Sequence, residues 1–124
     1  MYIHCITRHI LLKEIIMRYS KELLKGSTHL LVLAVLENRD LYGYKIIREL
    51  EIRSENAFEM SEGTLYPILH ALEKEKLLES YWEEFDGRNR KYYHITKKGK
   101  KQLREKTVEW KSFSSNVNRV LEFS

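Results

Sequence analysis

The sequence predicts a mainly α-helical domain that carries one small β-hairpin and ends in a helix too long for the body it leaves. Three observations lead there: apolar residues recur at three- and four-residue spacing through most of the chain, the period drops to two over residues 81–95, and a heptad-like stripe follows Thr96. A chain of 124 residues is one domain. With 43% hydrophobic and 32% charged residues, its core is modest and its surface heavily charged. No apolar run approaches the ~20 residues of a membrane span, since residues 26–36 already form the longest uncharged stretch near the front. The apolar N-terminus is interrupted by Arg8, His9, Lys13 and Glu14, unlike a secretory signal, so a cytoplasmic location is expected.

Residues 1–20 stand apart as an N-terminal extension with two readings: Ile6, Ile10 and Met17 line one face of an extra helix, or Met17 starts a shorter chain and the segment is an upstream extension, the favoured reading. Gly26 and Ser27 can cap a helix over residues 30–36 that is apolar all round and therefore sits mid-core. Asn38, Arg39 and Asp40 end it. A second helix over residues 42–53 turns Ile46, Ile47 and Leu50 inward and Lys45, Arg48, Glu49 and Glu51 outward. In a third, Leu65, Ile68, Leu69 and Leu72 make the buried stripe while Tyr66, His70, Glu73 and Lys74 point elsewhere. Its start is open: with Ser61 as cap, Pro67 lies past the first turn and removes a backbone bond, whereas with Thr64 as cap it falls in the tolerant first turn. Alternation of Tyr81, Glu83 and Phe85, an interruption at Asp86-Gly87-Arg88-Asn89, and alternation of Lys91, Tyr93 and Ile95 make the hairpin. Thr96 caps a last helix from residue 97 to about 122, on the order of 40 Å long. Leu103, Thr107, Trp110, Phe113, Val117, Val120 and Leu121 fall near a heptad stripe, which calls for a second helix, most simply the same helix of a second copy.

Charge is unevenly placed. Residues 77–85 carry −3, whereas residues 86–101 hold seven cations against one acid, a local +6 in a chain of net +4. Three helices followed by a basic-tipped hairpin is the order of a winged helix-turn-helix, in which the third helix enters the major groove of DNA and the wing touches backbone. The division expected is a winged-helix DNA-binding domain over residues 21–96 and a dimerisation helix over 97–124. A winged helix used only for protein–protein contact is the alternative.

The runs Tyr42-Gly43-Tyr44-Lys45-Ile46, Gly63-Thr64-Leu65-Tyr66-Pro67-Ile68-Leu69 and Gly87-Arg88-Asn89-Arg90-Lys91-Tyr92-Tyr93-His94-Ile95-Thr96, with Gly99 three residues on, resemble the PadR family of bacterial transcriptional regulators. The resemblance spans roughly residues 21–122. It implies a homodimeric winged-helix repressor on palindromic double-stranded operators. Carried onto this chain, it implies a DNA surface of Tyr44, Lys45, Ser61, Thr64, Tyr66 and His70 on the helices and Arg88, Asn89, Arg90 and Lys91 on the wing. The single C-terminal helix resembles the short, multidrug-responsive branch. That implies a planar aromatic small-molecule effector stacked between Trp110 and its symmetry mate, with Thr107 and Ser114 leaving space beside the ring.

Each of these roles has a competing one: Tyr66 packs in the core, Tyr44 braces the helix pair, and the lysines after Thr96 only neutralise Glu79, Glu83 and Glu84. Trp110 is equally explained as plain dimer core. His4, Cys5 and His9 make too poor a ligand set at a chain end for a metal site. One cysteine supplies no redox or zinc pair. No phosphate-cradling glycine loop, nucleophile elbow or paired carboxylates occur, so neither catalysis nor a cofactor is expected.

Overall fold

The computed structural model describes residues 19–122; the helix face of Ile6, Ile10 and Met17, the alternative start at Met17 and the His4, Cys5 and His9 set lie outside the described residues. A short helix α1 (Lys21–Lys25) starts at Ser20, whose Oγ accepts from the Leu23 amide at 3.2 Å. Helix α2 (Thr28–Val35) begins two residues before the expected start. Ser27 holds the cap position, yet its hydroxyl donates back to Leu24 O at 3.2 Å instead of capping. As its apolar composition requires, α2 is central: Val32, Leu33, Val35 and the following Leu36 are all buried.

The chain then forms a strand the sequence did not signal. β1 (Leu41–Tyr42) is two residues long and leads directly into α3 (Gly43–Arg53). Ile46 and Leu50 of α3 face the core, with Ile47 packed beside them. Glu49 accepts from Arg53 at 2.9 Å and from Arg39 at 3.1 Å, and Arg53 also reaches Ala34 O at 3.3 Å, so charged contacts tie α3 to the end of α2. The Arg53 hydrogen bond foremost, with the charges of Arg53 and Arg39, holds the Glu49 carboxyl below the ordinary carboxylate range against an opposing desolvation.

Helix α4 (Glu62–Lys74) decides the question of its start. Ser61 is the cap, its Oγ accepting from the Thr64 amide at 3.2 Å, so Pro67 lies inside the helix and gives up one intrahelical bond. The stripe of Leu65, Ile68, Leu69 and Leu72 is buried as its spacing predicts. β2 (Leu78–Phe85) and β3 (Arg88–Ile95) form the hairpin. Its turn is only Asp86 and Gly87, with φ of 54° and 76°, the left-handed pair a two-residue hairpin of matching twist requires. Arg88 and Asn89 are therefore strand residues, opposite Phe85 and Glu84. The antiparallel sheet has the order β1-β3-β2, with Leu41 opposite Tyr93 and Tyr42 opposite Tyr92.

Helix α5 (Lys97–Val120) is capped by Thr96, whose Oγ1 accepts from the Gly99 amide at 3.0 Å. It is about 36 Å long. Only its first turns join the body: Gly99 and Leu103 are buried, and nearly everything beyond is exposed or half-exposed. Leu103, 5% exposed, belongs to the protomer's own core, which corrects its assignment to a dimer stripe.

Candidate nucleic-acid interface

Because four positions of α4 face the core, the opposite side is left to solvent. Thr64, Tyr66, Pro67 and His70 are all exposed there. Thr64 is not free, since its Oγ1 accepts from the Ser61 hydroxyl at 3.1 Å, which makes Ser61 and Thr64 a local cap unit at the helix entrance. Tyr66, 39% exposed, lies across the first residue of α3. A Cβ on Gly43 would stand 2.9 Å from the Tyr66 hydroxyl oxygen, so glycine there is what lets the ring approach. This contact gathers Tyr44 and Lys45, both exposed on the first turn of α3, beside Tyr66 of α4. Core packing and surface exposure are thus shared by one ring.

On the wing, alternation sorts the cations. Residues opposite one another in an antiparallel pair share a face. Leu78, Ser80, Tyr93 and Ile95 lie on the face turned to the helices, and Lys91 belongs with them. Its Nζ sits 4.0 Å from Glu73 Oε1 and 5.8 Å from the Tyr93 ring centre, so its charge is partly answered within the fold. Tyr93 is buried, and desolvation first, then the nearby Glu73 charge, pushes its phenol up to about 12. Arg88 and Arg90 lie on the outer face with Tyr42, Tyr81, Tyr92 and Phe85. Arg88 and Asn89 are exposed at the tip. The lysines after Thr96 do not neutralise the wing's acids: among the described residues no ion pair joins them to Glu79, Glu83 or Glu84, and Lys98 instead donates to Glu75 O at 3.0 Å.

Asp40 is the site residue that sequence reading passed over as a helix terminator. Its carboxylate accepts from the Tyr81 hydroxyl at 2.6 Å and pairs with His94 Nδ1 at 2.8 Å, joining both wing strands to the loop before β1. Burial acts to raise its pKa, but the hydrogen bonds from Tyr81 and His94 prevail and lower it. The same bond is the main cause that pushes the Tyr81 phenol up to about 12. Trp82, 67% exposed, and Phe85, 61% exposed, also stand on the wing, on a strand that carries Glu79, Glu83 and Glu84.

A second feature lies at α5. Leu23, Leu30, Leu33, Trp110 and Phe113 line an open groove of about 670 Å³ between α1, α2 and α5, with Glu22, Lys25, Lys106 and Glu109 at its edges. Trp110 is 49% exposed and Phe113 61%, their ring centres 6.4 Å apart. Thr107 and Ser114 do not line this groove. Their hydroxyls turn back to their own helix, onto Leu103 O at 2.7 Å and Lys111 O at 3.3 Å, as small polar side chains on helices do. Val117 is half-buried, and Val120 and Leu121 are exposed.

A helix pair presenting an open α4 face, a three-stranded sheet with a projecting ribbon, and a helix leaving the body together define a winged-helix regulator of transcription. Residues 32–105 match the Transcriptional regulator PadR-like family. Protein X of Lysinibacillus sphaericus, itself uncharacterised, is 34% identical over 102 residues, 82% of this chain and 94% of that protein. Transcriptional regulator Rv3488 of Mycobacterium tuberculosis is 34% identical over 85 residues, covering 68% of this chain and 77% of its own. Among solved structures, a PadR-like transcriptional regulator from Bacillus cereus superposes with a TM-score of 0.72 at 36% identity, over 83% of this chain and 99% of that one. The chain belongs to the PadR-like family of transcriptional regulators. Members of this family are regulators and not enzymes, in keeping with a sequence that carries no catalytic pattern. Among the described residues no helix is long and apolar enough to cross a membrane.

Proposed function

We propose that the protein is a homodimeric repressor that binds a palindromic operator in double-stranded DNA. The observation that carries this reading is the open face of α4, with Thr64, Tyr66 and His70 outward, together with the exposed Tyr44 and Lys45 at the start of α3 and the exposed Arg88 and Asn89 at the wing tip. In this reading α4 enters the major groove, where Tyr66 and His70 meet base edges and Ser61 and Thr64 fix the helix entrance. Lys45, Arg88 and Arg90 meet phosphates of the flanking backbone. Residues 21–96 with the first turns of α5 are the DNA-binding body, and the rest of α5 is the dimer element. Two copies then place two α4 helices about one helical turn of DNA apart.

Support for the dimer comes from the apolar side chains Trp110, Phe113, Val120 and Leu121, exposed along one helix of a small domain. The groove beside Trp110 is the proposed effector site: a flat aromatic molecule stacks on the indole and relieves repression by binding the DNA-free arrangement more tightly. Electrophoretic mobility shifts with the DNA upstream of the protein's own coding sequence test the reading. Operator retention at nanomolar to micromolar protein is expected, weakening steeply as salt rises. Absence of binding at low salt, where the phosphate contribution is strongest, would overturn it.

A further inference from the structure

We infer that Tyr42 is a positioning residue for DNA binding, whose ring holds the Arg90 guanidinium by its face and so keeps that cation's edge available to an outside anion. The inference rests on the DNA-binding reading above. Arg90 Cζ lies 4.5 Å from the Tyr42 ring centre and 6.0 Å from that of Phe85. A guanidinium stacked on a ring uses its π face, whereas its five N–H donors lie in its plane and point past the ring. Among the described residues no acidic side chain takes those donors. Arg39, Arg48 and Arg53, by contrast, all donate to glutamates at 3.1 Å or less. Among the described residues Arg90 is the arginine that lies over aromatic rings and has no acidic partner.

An acid is nevertheless at hand. Glu83 is the cross-strand partner of Arg90, on the same outer face, at a separation where opposite charges ordinarily pair. The guanidinium turns instead toward Tyr42 on the far strand of the sheet. Tyr42 is itself braced, since its ring meets Tyr92 edge-on at 5.5 Å and Tyr92 stacks on Tyr81 at 5.7 Å. Tyr81 in turn is fastened to Asp40 at 2.6 Å. The outer face of the sheet is thus one chain of contacts from the Asp40 anchor to Arg90. Removing the Tyr42 ring frees Arg90 to fall onto Glu83, which would neutralise the cation from within the wing and withdraw it from phosphate.

The test is a cycle of substitutions read by DNA affinity and its salt dependence, using the shortest upstream duplex the wild-type protein retards. Tyr42→Phe keeps the π face and should bind as the wild type does. Tyr42→Leu should weaken binding about fivefold, the size of an exposed cation–π contact, and lower the salt slope toward that of Arg90→Ala. Adding Glu83→Gln should restore affinity to Tyr42→Leu by a larger factor than it raises the wild type, because only in the former does Glu83 capture Arg90. Equal gains in both backgrounds, or a loss in Tyr42→Phe as large as in Tyr42→Leu, would overturn the inference. A second measurement needs no variant: stacking should shift the Arg90 Cδ proton resonances upfield through the ring current, and ordinary shifts for these protons in the wild-type protein would also overturn it. If the wild type retards no duplex, the functional reading fails by itself, and the ring-current measurement still decides the clamp.

Discussion

Gly99→Ala should destabilise the protein strongly, although alanine is the better helix former by about 1 kcal/mol. A Cβ at this position would stand 2.2 Å from Leu77 O, 2.8 Å from Ile95 Cγ1 and 3.1 Å from the Leu77 carbonyl carbon. Two of these atoms are backbone, and Ile95 is 2% exposed, so none of them can swing aside. Leu77 O also accepts from the Thr96 amide at 3.1 Å and from Thr96 Oγ1 at 3.2 Å. Relief therefore requires moving α5 off the end of α4, at the expense of about two hydrogen bonds at ~1 kcal/mol each and ~1–3 kcal/mol of repacking. Net of the helix-propensity gain, the expected loss is about 3 kcal/mol, or a Tm lower by about 12 °C at ~4 °C per kcal/mol. Thermal melts by circular dichroism are the assay, at fixed protomer concentration because association shifts Tm by mass action. Gly26→Ala is the control: nothing lies within 4 Å of its Cβ position, and its melt should stay near the wild type. A Gly99→Ala protein that melts at or above the wild type would refute the close approach.

Ser61→Ala removes the cap of α4 and should lower stability by about 1 kcal/mol in denaturant titrations, with faster exchange of the Thr64 amide. Leu103→Ala should lose about 2–5 kcal/mol of protomer stability, whereas Phe113→Ala, at an exposed site, should leave the fold intact and weaken the dimer in analytical ultracentrifugation. Truncation after Lys101 would confound these two effects by taking the buried Leu103 with it. Because the folded state raises the Tyr81 phenol from 10.0 to about 12, its contribution to stability is complete below the unfolded value and is lost as pH rises through about 12. In absorbance titration Asp40→Asn should bring one tyrosine down toward its ordinary value and leave Tyr93, raised chiefly by burial, in place; superimposed curves would show that Asp40 does not set the Tyr81 titration.

What the sequence made legible was whatever depends on local spacing. The α4 stripe, the Thr96 cap and the Asp86-Gly87 turn are each determined within a few residues, and each stands where it was expected. β1 was not legible because Leu41 and Tyr42 become a strand only through pairing with Tyr93 and Tyr92, some fifty residues away. The same limit hid Asp40, whose partners lie on two other strands. Spacing also could not tell which core a stripe serves: Leu103 and Trp110 share a helical face, yet one completes the protomer and the other stays half in solvent. For Pro67, two caps were compatible with the local pattern, and only the Ser61 hydrogen bond to Thr64 separates them.

The basic block shows what such long-range contacts do to a charge count. Read as a string, residues 86–101 are a single patch of +6. In the fold the cations divide by the pleat and by the helix that follows. Lys91 is turned toward Glu73, and Lys98 donates to the exposed carbonyl of Glu75 just past the end of α4, where a cation complements the helix dipole. Both are held by the domain and strengthen the junction of wing, α4 and α5. Of the three cations on the wing strands, Arg88 is at the tip and Arg90 lies over the Tyr42 ring without an acidic partner among the described residues, so these two remain on the wing for an external anion. Net charge therefore overstates the electrostatic footprint of the wing. What matters for backbone contact is which cations the pleat leaves on the outer face and whether their neighbours there are rings or acids.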